Sequence, residues 1–198
     1  MPVRKTIPEK DGAYFITFTC ARWLPLFAIT DGYTFVYKFF DALTKDGHYI
    51  IGYAIMPDHL HAIIAFRNTG KTINSIIGTG KRFLAYELVT ALQQIREIEI
   101  LNQLNSWVNA TDRKRYKRHE VFEPSFDWKE CRTEKFLVQK LSYIHNNPRV
   151  ARLCRQPEEY LHSSAKFYIT GENGVYPVTS LWSCRISISP CPRVRSWA

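Results

Sequence analysis

No Cys-x-x-Cys pair occurs anywhere in the sequence, and the five cysteines (Cys20, Cys131, Cys154, Cys184 and Cys191) are odd in number. That excludes a zinc finger and a disulfide framework and fits a reducing compartment. No apolar run approaches the roughly 20 residues that cross a bilayer. The opening "MPVRKTIPEKDG" has no apolar core of a signal peptide, so a cytoplasmic location is expected. Internal repeats and low-complexity tracts are also missing, which excludes a solenoid and a linker-rich chain. Acid is scarce: 18 Asp and Glu stand against 27 Lys and Arg, for a net charge of +9. A balance this basic points to a polyanionic partner, nucleic acid or an anionic membrane surface. The 198 residues, 45% hydrophobic and 14% aromatic, suffice for one domain with a substantial core.

The stretch "IMPDHLHAII", Ile55 to Ile64, sets two imidazoles in apolar surroundings. Its flanks, "YIIGYAI" and "AIIAF", are rich in Ile, Tyr and Phe, which suit strands. "MPD" reads as a turn between two strands. Residues i and i+2 of a strand share a face, so His59 and His61 point one way and Leu60 the other. Neutral imidazoles on one face can ligate a metal; two hydrogen-bonded structural histidines are the alternative.

Elsewhere, "AYFITFTCA" (13–21) reads as a strand and "TDGYTFVYKFFDALTKDG" as a helix stopped by "DG". "KTINSIIGTGKRFLAYELVTALQQIREIEILNQL" is helical, with a break or bend expected at Gly78–Gly80, because mid-helix glycine costs about 0.8–1 kcal/mol relative to alanine. "TEKFLVQKLSYIHNN" is a helix with Thr133 as N-cap and Pro148 as terminator. The order predicts an α+β fold, a ferredoxin-like sandwich with an antiparallel sheet and helices packed on one face. It requires a fourth edge strand between residues 107 and 125. Residues 1–170 read as the domain and 171–198 as an irregular C-terminal tail.

On the last helix, Lys140, Tyr143 and Asn147 fall at i−3, i and i+4 and share a face. Leu137, Leu141 and Ile144 form the apolar stripe. A tyrosine on the polar side, flanked by a cation and a carboxamide, is a candidate nucleophile; an ordinary half-buried tyrosine is the alternative.

Four motifs in order carry a resemblance. They are "YFITFTCARWLPLF", "MPDHLHAII", "QKLSYIHNNP" and "EEYLHSSAKFY". Together they are similar to the REP-associated tyrosine transposases, relatives of the single-tyrosine transposases whose metal motif is His, a bulky hydrophobic residue, His. The resemblance spans roughly residues 12–170 and implies a DNA strand transferase. It implies Tyr143 as the nucleophile, attacking single-stranded DNA to leave a 5′-phosphotyrosine and a free 3′-hydroxyl. It implies a divalent cation, Mg²⁺ or Mn²⁺, held by His59 and His61, with Asn147, one turn after the tyrosine, completing the site. Single-stranded or hairpin DNA, such as repeated extragenic palindromes, is the implied partner, bound by a monomer or homodimer, with no membrane and no small-molecule substrate. A domesticated, catalytically inactive relative that only binds hairpins is the alternative.

The basic run "RKRYKRH" supplies Arg113, Lys114, Arg115 and Lys117 as candidate phosphate contacts, with Tyr116 available for stacking; a solvated loop is the alternative. Lys81 and Arg82 follow "GTG", either at a helix start, where backbone amides favour a phosphate, or equally on a plain helical surface. Lys140 completes the DNA-binding set. Asp58, beside the histidine pair, reads equally as the partner that orients an imidazole and as a turn former. The chain departs from the family after the tyrosine helix. "RVARLC" reverses an expected Val-Arg order and sets Arg152 where a glycine is usual, and His162 replaces an aromatic.

Overall fold

The aromatic and β-branched runs pair into one antiparallel sheet. A computed structural model describes residues 11–181. In chain order the elements are β1 (Gly12–Thr19), α1 (Leu26–Ile29), α2 (Tyr33–Lys45), β2 (Tyr49–Ile55), β3 (His59–Phe66), α3 (Ile73–Gln94), α4 (Ile98–Ser106), α5 (Ala110–Lys114), β4 (Asp127–Glu130), α6 (Glu134–Val150) and α7 (Ala165–Thr170). The sheet order is β2-β3-β1-β4 with every neighbouring pair antiparallel. This is the α+β, ferredoxin-like arrangement that the element order predicts.

Alternation along β1 and β3 divides the core in two. Tyr14, Ile16, Phe18, Leu60, Ala62 and Ile64 pack with Phe39, Phe40, Leu84 and Leu88 of α2 and α3. Ala13, Phe15, Ile63 and Ala65 pack with Leu137, Leu141 and Ile144 of α6. The helices α2 and α3 thus cover one face, as expected, and the helix bearing Tyr143 covers the second. The strand composition explains why. Ile50 to Ile55 of β2 and Leu60 to Phe66 of β3 are buried along their whole length, and a strand apolar on both sides needs cover on both.

Three boundaries differ from the sequence reading. The edge strand is Asp127–Glu130, beyond the 107–125 window. With four residues, "DWKE", and alternate exposure, it carries almost no hydrophobic signal. Helix α6 runs through Pro148 to Val150; the proline falls in the last turn, where its missing N–H costs one bond. Thr133 is the N-cap as predicted, its hydroxyl accepting from the Phe136 N–H at 3.2 Å.

The third difference is that α3 passes unbroken through Gly78–Gly80 and ends instead at Gln94, with Ile95 as C-cap. Gly80 is present for space: a Cβ there would lie 2.2 Å from Cε2 of Phe39 and within 2.7 Å of two further ring atoms. Gly80→Ala is therefore expected to destabilise. Overpacking costs about 1–3 kcal/mol, which outweighs the helix gain of up to about 1 kcal/mol. Urea denaturation should give a lower midpoint with unchanged slope; a raised midpoint would contradict this role for Gly80.

Residues 171–181 have no regular structure but dock on the domain. Thr179 N–H donates to the Ile50 carbonyl at 2.8 Å, and Leu181 is buried with the α6 cluster. Cys184, Cys191 and the rest of the tail lie outside the described residues.

Candidate functional site

Strand register assembles the site. His59 and His61 lie on the α6 side of β3, and Thr17 and Thr19 of β1 stand opposite His61 and His59 respectively. The Nε2 atoms of the two histidines converge to 3.1 Å. Their other ring nitrogens are held from outside. Asp58 Oδ1 lies 2.6 Å from His59 Nδ1, and Thr17 Oγ1 lies 2.6 Å from His61 Nδ1. Asp58 is thus the orienting carboxylate that the sequence suggested. Thr17 was not anticipated, because only the pairing of β1 with β3 brings it across from His61.

Helix α6 brings Tyr143 to the pair. Its ring stands edge-on to His61, with centroids 5.4 Å apart, and edge-on to Phe15 at 6.0 Å. Phe15 in turn stacks on His61 at 5.6 Å. Tyr143 is 50% exposed. Lys140, one turn earlier, holds its ammonium 4.8 Å from the Phe15 ring centroid and 5.3 Å from that of Tyr143. A shallow groove lined by Gln139, Ser142, Tyr143, Asn146, Asn147 and Val150 runs along α6 beside them.

Asn147 sits at the i+4 position as read. Its amide nitrogen donates to the Tyr143 carbonyl at 3.5 Å, and no hydrogen bond joins it to the histidines among the described residues. No group of three His, Cys, Asp or Glu side chains among those residues is arranged to hold a metal ion. The imidazole pair is therefore what a divalent cation would have to use. It fits that task. A hydroxyl both donates and accepts; when Thr17 accepts from His61 Nδ1–H and Asp58 accepts from His59 Nδ1–H, both Nε2 lone pairs point at one place. Lone pairs 3.1 Å apart repel unless a cation lies between them. In the other tautomer Thr17 donates, and His61 Nε2–H bonds to His59. His61 is kept neutral, as a ligand must be: burial, then the charges of His59 and Lys140, push its pKa down to about 3.

The other predicted contacts divide. Lys81 Nζ donates to the carbonyls of Glu123 (2.6 Å) and Ser125 (3.0 Å). Because α3 starts at Ile73, Lys81 and Arg82 are mid-helix and no helix terminus stands there to bind a phosphate. Arg113 Nε donates to the Val108 carbonyl at 3.2 Å, and its Nη2 to that of Asn105. Lys117 pairs with Glu120 and Asp112. Lys114 and Arg115 are exposed, and Tyr116 is 91% exposed. That loop keeps part of its charge for solvent and uses part to close itself.

His145 is buried, with Nε2 2.9 Å from Ser164 Oγ. Burial pushes its pKa down to about 4. A histidine whose folded pKa is depressed contributes stability fully present above the unfolded value near 6.5 and lost as pH falls toward about 4. Between those limits each pH unit costs up to about 1.4 kcal/mol. Unfolding free energy should therefore fall by roughly 2 kcal/mol per such histidine from about pH 6.5 to about pH 5. Denaturant titrations across that range should give a shallower slope for His145→Gln; equal slopes would assign the acid sensitivity elsewhere.

No protein-family model and no curated protein matches the chain. Among solved structures, one of a REP-associated tyrosine transposase bound to a REP hairpin is similar over 99% of both chains, at 14% sequence identity and a TM-score of 0.55. A proposed transposase from Deinococcus radiodurans R1 is 15% identical over 74% of this chain and 96% of its own, with a TM-score of 0.42. Over nearly its whole length, the chain has the fold of a REP-associated tyrosine transposase.

Proposed function

We propose that this protein is a transposase-type DNA strand transferase that cuts single-stranded DNA next to a hairpin, with Tyr143 as nucleophile. The observation that carries the reading is the contact of the Tyr143 ring with His61, 5.4 Å between centroids, beside two Nε2 atoms converged to 3.1 Å. A half-exposed tyrosine on a helix and a largely buried histidine pair on a strand, far apart in sequence, meet. In the reaction, the Tyr143 oxygen bonds to phosphorus and the bond from phosphorus to the 3′ oxygen breaks. The products are a 5′-phosphotyrosine and a 3′-hydroxyl, which takes up a proton. The phenolic proton passes to water, which half-exposed Tyr143 reaches. Attack by a 3′-hydroxyl on the phosphotyrosine reverses the bond changes and reseals the strand. Energy is conserved in the covalent link, so no nucleotide cofactor is needed.

His59 and His61 would hold a divalent cation, Mn²⁺ or Mg²⁺, leaving its remaining positions to water and phosphate oxygens, an open arrangement of the catalytic kind. Such a cation, when bound, polarises the scissile phosphate and offsets charge on its oxygens. Lys140 adds a fixed positive charge at the same side of α6, where charge develops on the attacked group. The net charge of +9 and exposed Lys114 and Arg115 supply non-specific attraction to the backbone. A solved protein of the same fold is bound to a REP hairpin, which supports hairpin DNA as the partner.

The test is to incubate the protein with end-labelled hairpin DNA carrying single-stranded tails and Mn²⁺ or Mg²⁺, then denature and separate. The expected result is a protein band carrying labelled DNA. Hairpin binding without any such band under either metal would leave a DNA-binding protein and overturn the nuclease reading.

A further inference from the structure

Trp23 is 62% exposed, although a ring of its size is usually largely buried. It is held there at a cost. Arg22 and Trp23 both adopt left-handed backbone, with φ of 51° and 60°, and such positions cost non-glycine residues about 1–2 kcal/mol each. The surrounding chain enforces the conformation from two sides. Cys20 N–H donates to the Asp58 carbonyl and Ala21 N–H to the Val121 carbonyl, both at 2.8 Å. Arg22 N–H donates to Glu123 Oε1 at 2.8 Å. The result is a tryptophan fixed at the mouth of the histidine pair, its ring standing against that of His59 at 5.6 Å and 77°. Such strain persists only where the surroundings enforce it, and it recurs at functional sites.

We propose that Trp23 is a stacking platform for an unpaired nucleobase beside the phosphate that is cut. The inference rests on the proposed nuclease reading for the identity of that phosphate, and on the geometry of Trp23 for the rest. An edge-to-face contact with His59 leaves a ring face free, and every nucleobase offers a π-face to stack on it regardless of sequence. The platform adjoins His59, one of the two imidazoles that would hold the cation at the phosphate, so the stacked base belongs to the nucleotide at the cut or to its neighbour. The path away from the platform is cationic and aromatic. Arg22 lies over the Trp107 ring at 4.5 Å, and Trp107 ends α4 just before the exposed basic loop. A single strand leaving Trp23 in that direction meets the Arg22 guanidinium.

The experiment uses the full chain without divalent metal, so that binding is read apart from cleavage. The probe is a DNA hairpin with oligothymidine tails carrying 2-aminopurine at one tail position at a time, compared with the same hairpin without tails. The wild type should quench 2-aminopurine at one or two adjacent positions. Trp23→Ala should lose that quenching and bind the tailed hairpin about tenfold more weakly, with unchanged affinity for the blunt hairpin. Trp23→Phe should retain most of both effects. Quenching that persists in Trp23→Ala, or equal losses for tailed and blunt hairpins, would overturn the platform. The two readings fail separately. A Tyr143 adduct with Trp23-independent binding sinks only the platform. Trp23-dependent quenching with no adduct under any metal sinks only the nuclease.

Discussion

Tyr143→Phe is expected to abolish the covalent protein–DNA adduct while leaving the fold and hairpin binding intact. Phenylalanine keeps the ring, and with it the edge contacts to His61 and Phe15 at 5.4 and 6.0 Å and the cation of Lys140 above it. Only the oxygen that forms the bond to phosphorus is removed. Because the side chain is half exposed, the change in stability should stay within about 0.5 kcal/mol. Adduct formation should fall below about one part in a thousand of wild type, as when other enzymes lose their nucleophile. The measurement is the denatured, labelled protein band, quantified beside unfolding curves and hairpin affinities for both proteins. An adduct that survives in Tyr143→Phe would transfer the chemistry to another tyrosine. Exposed Tyr116 and Tyr86 are the first to test.

Much of the site was legible because it depends on short-range periodicity. A period of two puts His59 and His61 on one face, and a period of 3.6 aligns Lys140, Tyr143 and Asn147. What escaped depends on pairing across the chain. Thr17 looks like any strand threonine until β1 is laid against β3, and Phe15, stacked on His61, looks like any core residue. Trp23 is concealed for a different reason: its backbone conformation is one that composition predicts for glycine or asparagine.

Arginine in a turn that glycine usually marks explains the misplaced helix boundary. Helix α2 ends in a left-handed Gly47, φ 85°, with His48 N–H donating to the Leu43 carbonyl at 2.9 Å; this stop was readable as "DG". Helix α3 ends in the same motif, with Arg96 at φ 60° and Glu97 N–H donating to the Leu92 carbonyl at 2.9 Å. Helix α6 repeats it with Arg152 at φ 60° and Leu153 N–H on the Pro148 carbonyl at 2.9 Å. Glycine marks such ends because it alone adopts φ > 0 without strain. Here the arginines occupy those turns, while Gly78 and Gly80 lie inside a helix. A reading that follows glycine breaks α3 in the wrong place. The departure noted at Arg152 is thus one of residue type, and the turn is kept at the expense of local strain.

Replacing both His59 and His61 with alanine is expected to remove metal-dependent cleavage while hairpin affinity changes by no more than a few-fold, since phosphate contacts supply most of that affinity. Asp58 and Thr17 make the prediction sharper, because each controls a nitrogen that does not face the shared point. Thr17→Val keeps the β-branched shape that the strand requires and removes the hydroxyl 2.6 Å from His61 Nδ1. The imidazole is then free to turn and to carry its proton on Nε2, the wrong nitrogen for a ligand. Loss of an orienting group of this kind weakens metal binding by about 10–100-fold. The same is expected of Asp58→Asn, whose amide would present either a weaker acceptor or a donor to His59 Nδ1. Calorimetric titration with Mn²⁺ at neutral pH gives the readout independently of any DNA chemistry. The wild type should bind one ion, the double alanine variant none, and Thr17→Val and Asp58→Asn should bind with the stated loss. If Mn²⁺ binds the double variant as tightly as the wild type, the histidines are a structural hydrogen-bonded pair. Their Nε2 contact of 3.1 Å would then be a donor meeting an acceptor, with Thr17 supplying the proton at the far end of the chain of bonds.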